Sequence, residues 1–339
     1  MQPPTLNDVL RARRLLAGQL PPTPMWSYPA LDAVAGATVY VKHENTQPVG
    51  VFKVRGALNL LAGLPGEQRR RGVVTYSTGN HAQSIAYAAR SHGVDCRVVM
   101  PEAANPVKVR AVEALGATVV LHGGDLAGAQ AHAQRLAGEL GARLVSPADE
   151  AALIAGVGTL YLEVFEAVPD LDAVVVPVGS GTGAAAACLV AAALAPGCRV
   201  VAVQSTASPA AHDSWRAGRC LQRPDRTAVE GLATGRGFAL PQQLLRRGLA
   251  DFVLVPDAEI GAAQQLLASH AHTLAEGAGA AALAAVLAGD GFAGQRVAVV
   301  CSGGNASPGE LAALAASHGE DRGRGRRRRP EGQAVATAL

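Results

Sequence analysis

A single lysine stands between two apolar residues in the stretch "QPVGVFKVRGALN". Lys53 follows Phe52 and precedes Val54, just after a turn that contains a glycine. A surface lysine can occupy such a setting, with its aliphatic stem along apolar neighbours and its ammonium in water. Alternatively, burial lowers the pKa of the lysine and leaves its amine as a nucleophile. The stretch alone leaves both interpretations open.

A glycine-rich run follows another apolar segment, in "PVGSGTGAAAACL". Glycines let successive backbone N–H groups turn toward one point, and the start of the Ala-rich helix adds partial positive charge, so the run suits a phosphate, with Ser180 and Thr182 adding hydroxyls. A tight turn without a ligand is the alternative. The run also matches the dinucleotide pattern G-x-G-x-x-A, which needs an acidic residue about 20 positions later. The next strand ends in Gln204 instead, so one phosphate is the simpler inference.

Polar residues follow two further strand candidates. In "STGNHAQ", Ser77, Thr78, Asn80 and His81 stand where a helix begins. They could simply cap that helix, or they could form a small-anion site suited to a carboxylate. In "CSGGN", Ser302 is either part of a turn or a neutral hydroxyl at the mouth of the sheet.

The elements that position these motifs follow from the order of apolar runs. Short runs rich in β-branched residues alternate with Ala- and Leu-rich stretches of helical length; one helix candidate is "GAAQQLLASHAHTLAEG", 261–277. The strand candidates are "ATVYVKHE", "GVVTYST", "CRVVMPE", "ATVVLHG", "ARLVSP", "DAVVVPVG", "RVVAVQS", "DFVLVPD" and "RVAVVCSGG". Such runs are typical of parallel sheets covered on both faces, which bind ligands at the carboxyl ends of their strands. The pattern predicts an α/β fold.

Composition and charge exclude some classes of protein. Of the 339 residues, 49% are hydrophobic and only 4% aromatic, which allows a large core but argues against a stacking platform for single-stranded nucleic acid. The net charge of +3 depends on six arginines in "RGRGRRRR", 322–329, so the rest of the chain is negative, which argues against DNA binding. This arginine-rich end of the chain could contact nucleic acid or an anionic membrane, but an ordinary solvated tail is the simpler interpretation. We expect neither nucleic acid nor membrane as a partner.

The cysteines indicate a reducing compartment. Five of them are scattered without a C-x-x-C pair or metal-ligand spacing, and no signal peptide is evident. We therefore expect a cytoplasmic protein.

Taken in order, "QPVGVFKVRGA", "STGNHAQ", "GSGTG", "EGAGAAALAA" and "CSGGN" resemble the fold-type II pyridoxal-phosphate enzymes, specifically the threonine/serine dehydratase and serine racemase group. The resemblance covers roughly residues 5 to 315. It implies a tryptophan synthase β-like architecture of two open, mostly parallel α/β domains with pyridoxal 5′-phosphate in the cleft between them. The expected large domain comprises 1–47 plus 147–316, the small domain 48–146, and a disordered Arg-rich tail 317–339. A homodimer is also implied.

The resemblance also implies a role for each matching residue. Lys53 holds the cofactor as a Schiff base, and Phe52 packs near its ring. Asn80 hydrogen-bonds its 3′-oxygen, and Ser302 faces its pyridine nitrogen. The phosphate is held by Gly179, Ser180, Gly181, Thr182 and Gly183. The substrate carboxylate is bound, largely through backbone groups, by Ser77, Thr78 and His81. Glu276 matches an acid near the cofactor.

Some positions depart from the family pattern. Val49 and Val51 stand where Thr and Ser or Ala are common, which alters the pocket wall. Thr78 replaces the serine that reprotonates the substrate in racemases, so racemisation is in doubt. Gln204 replaces a glutamate of the family's divalent-cation site, with only Asp213 nearby, so we predict no metal.

The predicted activity is β-elimination, that is, dehydration and deamination, of a small β-hydroxy amino acid such as L-threonine or L-serine to a 2-oxo acid and ammonia. One alternative is a related dehydratase acting on a hydroxyectoine-pathway substrate, phenylserine or hydroxyaspartate. Another is a β-replacement synthase. A pseudo-enzyme that only binds the cofactor is disfavoured because Lys53, Asn80 and Ser302 are all present. A nicotinamide-dependent dehydrogenase is disfavoured by Gln204.

Overall fold

The computed structural model describes residues 2–324 and contains two β-sheets. The six-stranded sheet has the order β1-β2-β10-β7-β8-β9 and is parallel except for β1. Its strands are β1 (Met25–Ser27), β2 (Thr38–His43), β7 (Ala173–Pro177), β8 (Arg199–Ser205), β9 (Asp251–Val255) and β10 (Arg296–Cys301). The four-stranded sheet is wholly parallel, with the order β5-β4-β3-β6. Its strands are β3 (Val73–Tyr76), β4 (Cys96–Met100), β5 (Thr118–Leu121) and β6 (Arg143–Val145).

Helices cover both sheets, as parallel strands require. They are α1 (Leu6–Leu16), α2 (Pro29–Ala35), α3 (Lys53–Ala62), α4 (Gly66–Arg71), α5 (Asn80–Ser91), α6 (Pro106–Ala114), α7 (Leu126–Leu140), α8 (Ala151–Ala167), α9 (Thr182–Leu194), α10 (Ala210–Arg216), α11 (Ala239–Gly248), α12 (Asp257–His270), α13 (Gly277–Leu287) and α14 (Pro308–Arg324). Within residues 2–324, no helix has the length and apolarity needed to cross a bilayer.

The predicted α/β class and all nine predicted strands are confirmed. The sequence missed β1, a three-residue edge strand whose Trp26 is 57% exposed, because it lacks the buried β-branched pattern. The predicted helix over 261–277 was wrong in its extent. It ends at His270 because His272 adopts a left-handed φ of 50°, and a new helix, α13, begins at Gly277 with Glu276 as its N-cap residue.

Two features fix α3, the helix that carries Lys53. Gly156 of α8 lets α3 approach closely, since a Cβ there would lie 2.5 Å from the Arg55 carbonyl oxygen. Arg55, only 2% exposed, donates to Glu44 at 2.8 Å and to Glu163 at 2.6 Å. This buried ion network ties α3 to the 3₁₀ turn Glu44–Thr46, which directly follows β2, and to α8.

The last described helix reaches into the expected tail. α14 continues to Arg324, past residue 317 where the tail was expected to begin. Residues 325–339 of that predicted tail lie outside the described residues.

Candidate active site

The turn before Lys53 is joined to the "CSGGN" loop after β10. The backbone N–H of Phe52 donates to the Ser302 carbonyl at 3.0 Å, and that of Gly304 donates to the Gly50 carbonyl at 2.9 Å. Val51 and Gly303 also form an isolated antiparallel bridge. Two motifs that lie about 250 residues apart in the sequence therefore form one wall of the site.

The glycine run forms a loop between β7 and α9. Gly181 has a φ of 93°, which side chains disfavour, and a Cβ at Gly179 would lie 2.3 Å from the Gly231 carbonyl oxygen. A Cβ at Gly183 would contact the Phe52 ring at 3.5 Å. The loop thus packs against the Lys53 turn at Gly183, while glycine is required at Gly179 by the Gly231 carbonyl and at Gly181 by its φ.

Asn80 links three motifs at the start of α5. Its Nδ2 donates to Glu276 Oε1 at 2.6 Å, and its Oδ1 accepts from Asn305 Nδ2 at 2.8 Å. Because an amide nitrogen carries two hydrogens, Asn80 keeps one donor for a ligand. The break after α12 is what places Glu276 here.

Two adjoining cavities contain all the predicted site residues. We call the first the inner cavity; it is lined by Val51, Phe52, Lys53, Asn80, Pro177, Gly179, Ser180, Gly181, Thr182, Gly183, Gly231, Leu232, Glu276, Ala278 and Ser302. We call the second the outer cavity; it is lined by Lys53, Tyr76, Ser77, Thr78, Gly79, Asn80, His81, Lys108, Leu126, Pro147, Ser180, Glu230, Gly231, Ala233, Thr234 and Phe238. Lys53, Asn80, Ser180 and Gly231 line both.

Burial perturbs three ionisable groups of the site. Desolvation lowers the pKa of Lys53 to about 8, although nearby Glu276 opposes the shift. Burial raises the pKa of Glu276 to about 7, against the opposing effects of Lys108 and the Asn80 hydrogen bond. Burial and the charge of Lys53 lower the pKa of His81 to about 3. At neutral pH the site therefore contains a partly neutral amine, a carboxyl group close to half-protonation and a neutral imidazole.

The imidazole of His81 is turned toward the sheet. Its Nε2 lies 2.9 Å from Thr75 Oγ1, whose own hydrogen goes to the Val145 carbonyl. His81 Nε2 therefore carries the hydrogen in this bond. The ring is engaged, and the backbone at the start of α5 is the part of His81 that can bind a ligand.

Comparison with known proteins identifies the family. Residues 16–303 match the model of the family described as pyridoxal-phosphate dependent enzyme. The chain belongs to this family. It is 38% identical over 302 residues to L-threonine ammonia-lyase of Thermotoga maritima, covering 89% of this chain and 75% of that protein. It is 34% identical to L-threo-3-hydroxyaspartate ammonia-lyase of Saccharomyces cerevisiae, covering 89% and 93%. The structure of maize serine racemase superposes with a TM-score of 0.88 at 29% identity, covering 95% and 100%.

The residues present fit the cofactor of this pyridoxal-phosphate enzyme. Ser180 Oγ is buried and has no hydrogen-bond partner within residues 2–324. In the same part of the chain no side chain caps the N-terminus of α9. An unpartnered hydroxyl, an uncapped helix start and a loop with three glycines suit a phosphate. Lys53 would supply the amine that an aldehyde cofactor requires.

Sequence reasoning missed part of the outer cavity. Lys108, at the start of α6, is 7% exposed and contacts Glu230, while Tyr76, Leu126 and Phe238 supply the apolar wall. One signal was available: the chain has only three lysines, so each is unusual. The contact itself had no local signal.

Gln204 and Asp213, which stand where the resemblance implies a divalent-cation site, contact other groups of the protein. Gln204 Oε1 accepts from the backbone N–H groups of Ala211 and His212, and Asp213 pairs with Arg223 at 2.6 Å. Among the described residues, no group of three or more His, Cys, Asp or Glu side chains could hold a metal. The expected absence of a metal stays a prediction.

Proposed function

We propose that this pyridoxal-phosphate enzyme catalyses β-elimination on a small β-hydroxy amino acid, most simply L-threonine or L-serine, releasing a 2-oxo acid and ammonia. The observation that carries the proposal is that Lys53 lines both cavities. The glycine loop of 179–183 lines the inner cavity, and the polar start of α5 lines the outer cavity. A cofactor in the inner cavity and an amino acid in the outer cavity can therefore meet at Lys53.

The inner cavity holds the cofactor in this proposal. Lys53 binds it covalently, and the loop of Gly179, Ser180, Gly181, Thr182 and Gly183 binds its phosphate. Phe52 packs near its ring, and the second Nδ2 hydrogen of Asn80 binds the ring oxygen. When bound, pyridoxal phosphate supplies an electron sink for bonds broken at the substrate Cα.

The outer cavity holds the amino acid. Its carboxylate binds to Ser77, Thr78 and His81, mainly through backbone N–H groups at the start of α5, where the helix dipole favours an anion. The ring of His81 is neutral and engaged with Thr75. It therefore orients the segment and adds no charge.

Lys53 Nζ moves the proton at Cα. With a pKa of about 8, both its neutral and charged forms are populated near neutral pH, so it can take a proton and return it. Ser302, which is 4% exposed and donates to the Ala278 carbonyl at 3.3 Å, presents a neutral hydroxyl to the inner cavity. A neutral hydroxyl would stabilise a protonated pyridine nitrogen less than a carboxylic acid would. Less negative charge would then be held in the cofactor ring, which favours prompt loss of the β-hydroxyl.

Two measurements test the proposal. Purified enzyme is given single amino acids, and release of 2-oxo acid is measured; we expect product from L-threonine or L-serine. Borohydride reduction followed by mass spectrometry is expected to find the cofactor on Lys53, with Lys42 and Lys108 as internal controls in a chain of three lysines. An adduct on Lys108, or no product from any β-hydroxy amino acid, would refute the assignment.

We further propose the domain division 1–47 plus 147–316 and 48–146. The distribution of strands supports it, since β3 to β6 form one sheet and the other strands the second. We also propose a cytoplasmic homodimer. All five cysteines are free, which supports a reducing compartment, and light scattering after gel filtration tests the dimer.

A further inference from the structure

Lys108 and Glu230 form a charge pair across the outer cavity. Lys108 Nζ donates to Glu230 Oε2, joining α6 to the short 3₁₀ turn Glu230–Leu232 between α10 and α11. The side chain of Lys108 is 8% exposed and that of Glu230 is 44% exposed. A carbon at the Cβ position of Gly79 would lie 3.5 Å from Lys108 Nζ, so the amine adjoins the segment that follows β3.

Of the two lysines that line the outer cavity, Lys108 is the one that does not bind the cofactor in the proposed function. The charged groups that line the cavity are Lys53, Lys108 and Glu230, because the pKa of His81 is too low for a charge at neutral pH. Lys53 is used by the cofactor. The wall near the pair is otherwise uncharged and is formed by Tyr76, Leu126, Pro147, Ala233, Thr234 and Phe238. A buried ammonium requires an anion, and Glu230 already provides one.

We infer that Glu230 determines substrate specificity by occupying Lys108 and excluding amino acids whose side chain carries a carboxylate. The inference rests on the proposed function and names the substrate class of that site: β-hydroxy amino acids with a neutral side chain. L-Threonine and L-threo-3-hydroxyaspartate differ at Cβ in a methyl against a carboxylate group. A second carboxylate beside Glu230 meets a like charge and finds Lys108 already paired.

Removing the charge of Glu230 reverses this preference. In Glu230→Gln, Lys108 loses the carboxylate that accepts its hydrogen bond, so a substrate carboxylate can take that place. In Lys108→Met, no cation remains for that carboxylate. The double variant therefore separates a gain that requires Lys108 from a gain due only to relieved repulsion.

The test compares kcat/KM for L-threo-3-hydroxyaspartate with kcat/KM for L-threonine in the holoenzyme. We expect Glu230→Gln to raise this ratio at least about tenfold, equivalent to about 1.4 kcal/mol, and Glu230→Ala to act in the same direction. Glu230→Gln combined with Lys108→Met is expected to show no gain. The matched control is Glu102→Gln, which removes one negative charge from an exposed position that does not line the cavity.

Binding provides a second measurement that does not require turnover. Calorimetry with succinate and with butyrate, a dicarboxylate and a monocarboxylate of equal length, is expected to show tighter succinate binding in Glu230→Gln and unchanged butyrate binding. If wild-type enzyme releases no 2-oxo acid from any β-hydroxy amino acid, the proposed function fails while these titrations still test the charge pair.

Two results overturn the inference. The first is an unchanged ratio in both Glu230 variants together with a higher KM for both substrates in Lys108→Met, which would assign Lys108 to the substrate α-carboxylate. The second is a gain in Glu230→Gln that persists in the double variant, since Lys108 would then have no part in it.

Discussion

The environment of Lys53 predicts an unusually reactive amine in enzyme stripped of its cofactor. Burial lowers its pKa to about 8, whereas an ordinary lysine has a value near 10.5. At pH 7 the neutral fraction is about one tenth at a pKa of 8 and about 0.03% at 10.5, a ratio of roughly 300. Since the neutral amine is the nucleophile, Lys53 should react faster than an ordinary lysine of equal accessibility by a factor of that order.

The assay is trace acetylation of the cofactor-free enzyme over neutral to alkaline pH, read peptide by peptide by mass spectrometry. The readout is simple because the chain has only three lysines. Lys42 donates to Glu163 and Lys108 donates to Glu230, so these two serve as ion-paired comparisons for Lys53. We expect the rate at Lys53 to rise with a midpoint near pH 8. Rates referred to the unfolded chain, in which all three lysines are equivalent, correct for reagent chemistry.

A substitution of Glu276 checks the cause of the shift. The carboxylate of Glu276 raises the pKa of Lys53 and so opposes desolvation. Glu276→Gln should therefore move the Lys53 midpoint below that of the wild type. A midpoint near 10.5 in the wild type would contradict burial as the cause, and a shift upward in Glu276→Gln would contradict the opposing effect of Glu276.

Three further substitutions have expected signs. Arg55→Met leaves fully buried Glu44 without its main partner and should lower the unfolding free energy in urea by about 3–5 kcal/mol; adding Glu44→Gln should recover part of this loss. Ser180→Ala removes a buried hydroxyl without a partner, so it should stabilise cofactor-free protein by about 1 kcal/mol, measured by melting, yet weaken pyridoxal phosphate binding about fivefold in a fluorescence titration. Burial raises the pKa of Glu276 from 4.5 to about 7, so the cofactor-free fold keeps a proton that the unfolded chain releases between these values. Stability should fall by about 3 kcal/mol as pH rises through this window, and Glu276→Gln should remove that part of the pH dependence.

The fold was predictable because its signals are local. Each buried strand appears as a β-branched run, and each motif stands where a strand ends and a helix begins, which is where parallel sheets bind ligands. The misses lie where local signals fail. The edge strand at Trp26 lacks a buried pattern, and the helix expected over 261–277 breaks at His272, whose positive φ no helix propensity indicates.

The wall of the outer cavity could not be predicted for a different reason. Lys108 and Glu230 are 122 residues apart and come from segments beside different sheets. Neither residue belongs to a motif, and their role arises only when the fold brings a cation and an anion together. The motifs that line the inner cavity could thus be picked out in the sequence, whereas the Lys108–Glu230 pair joins distant segments. For this reason paired substitutions at Lys108 and Glu230, rather than single ones, are the appropriate test of specificity.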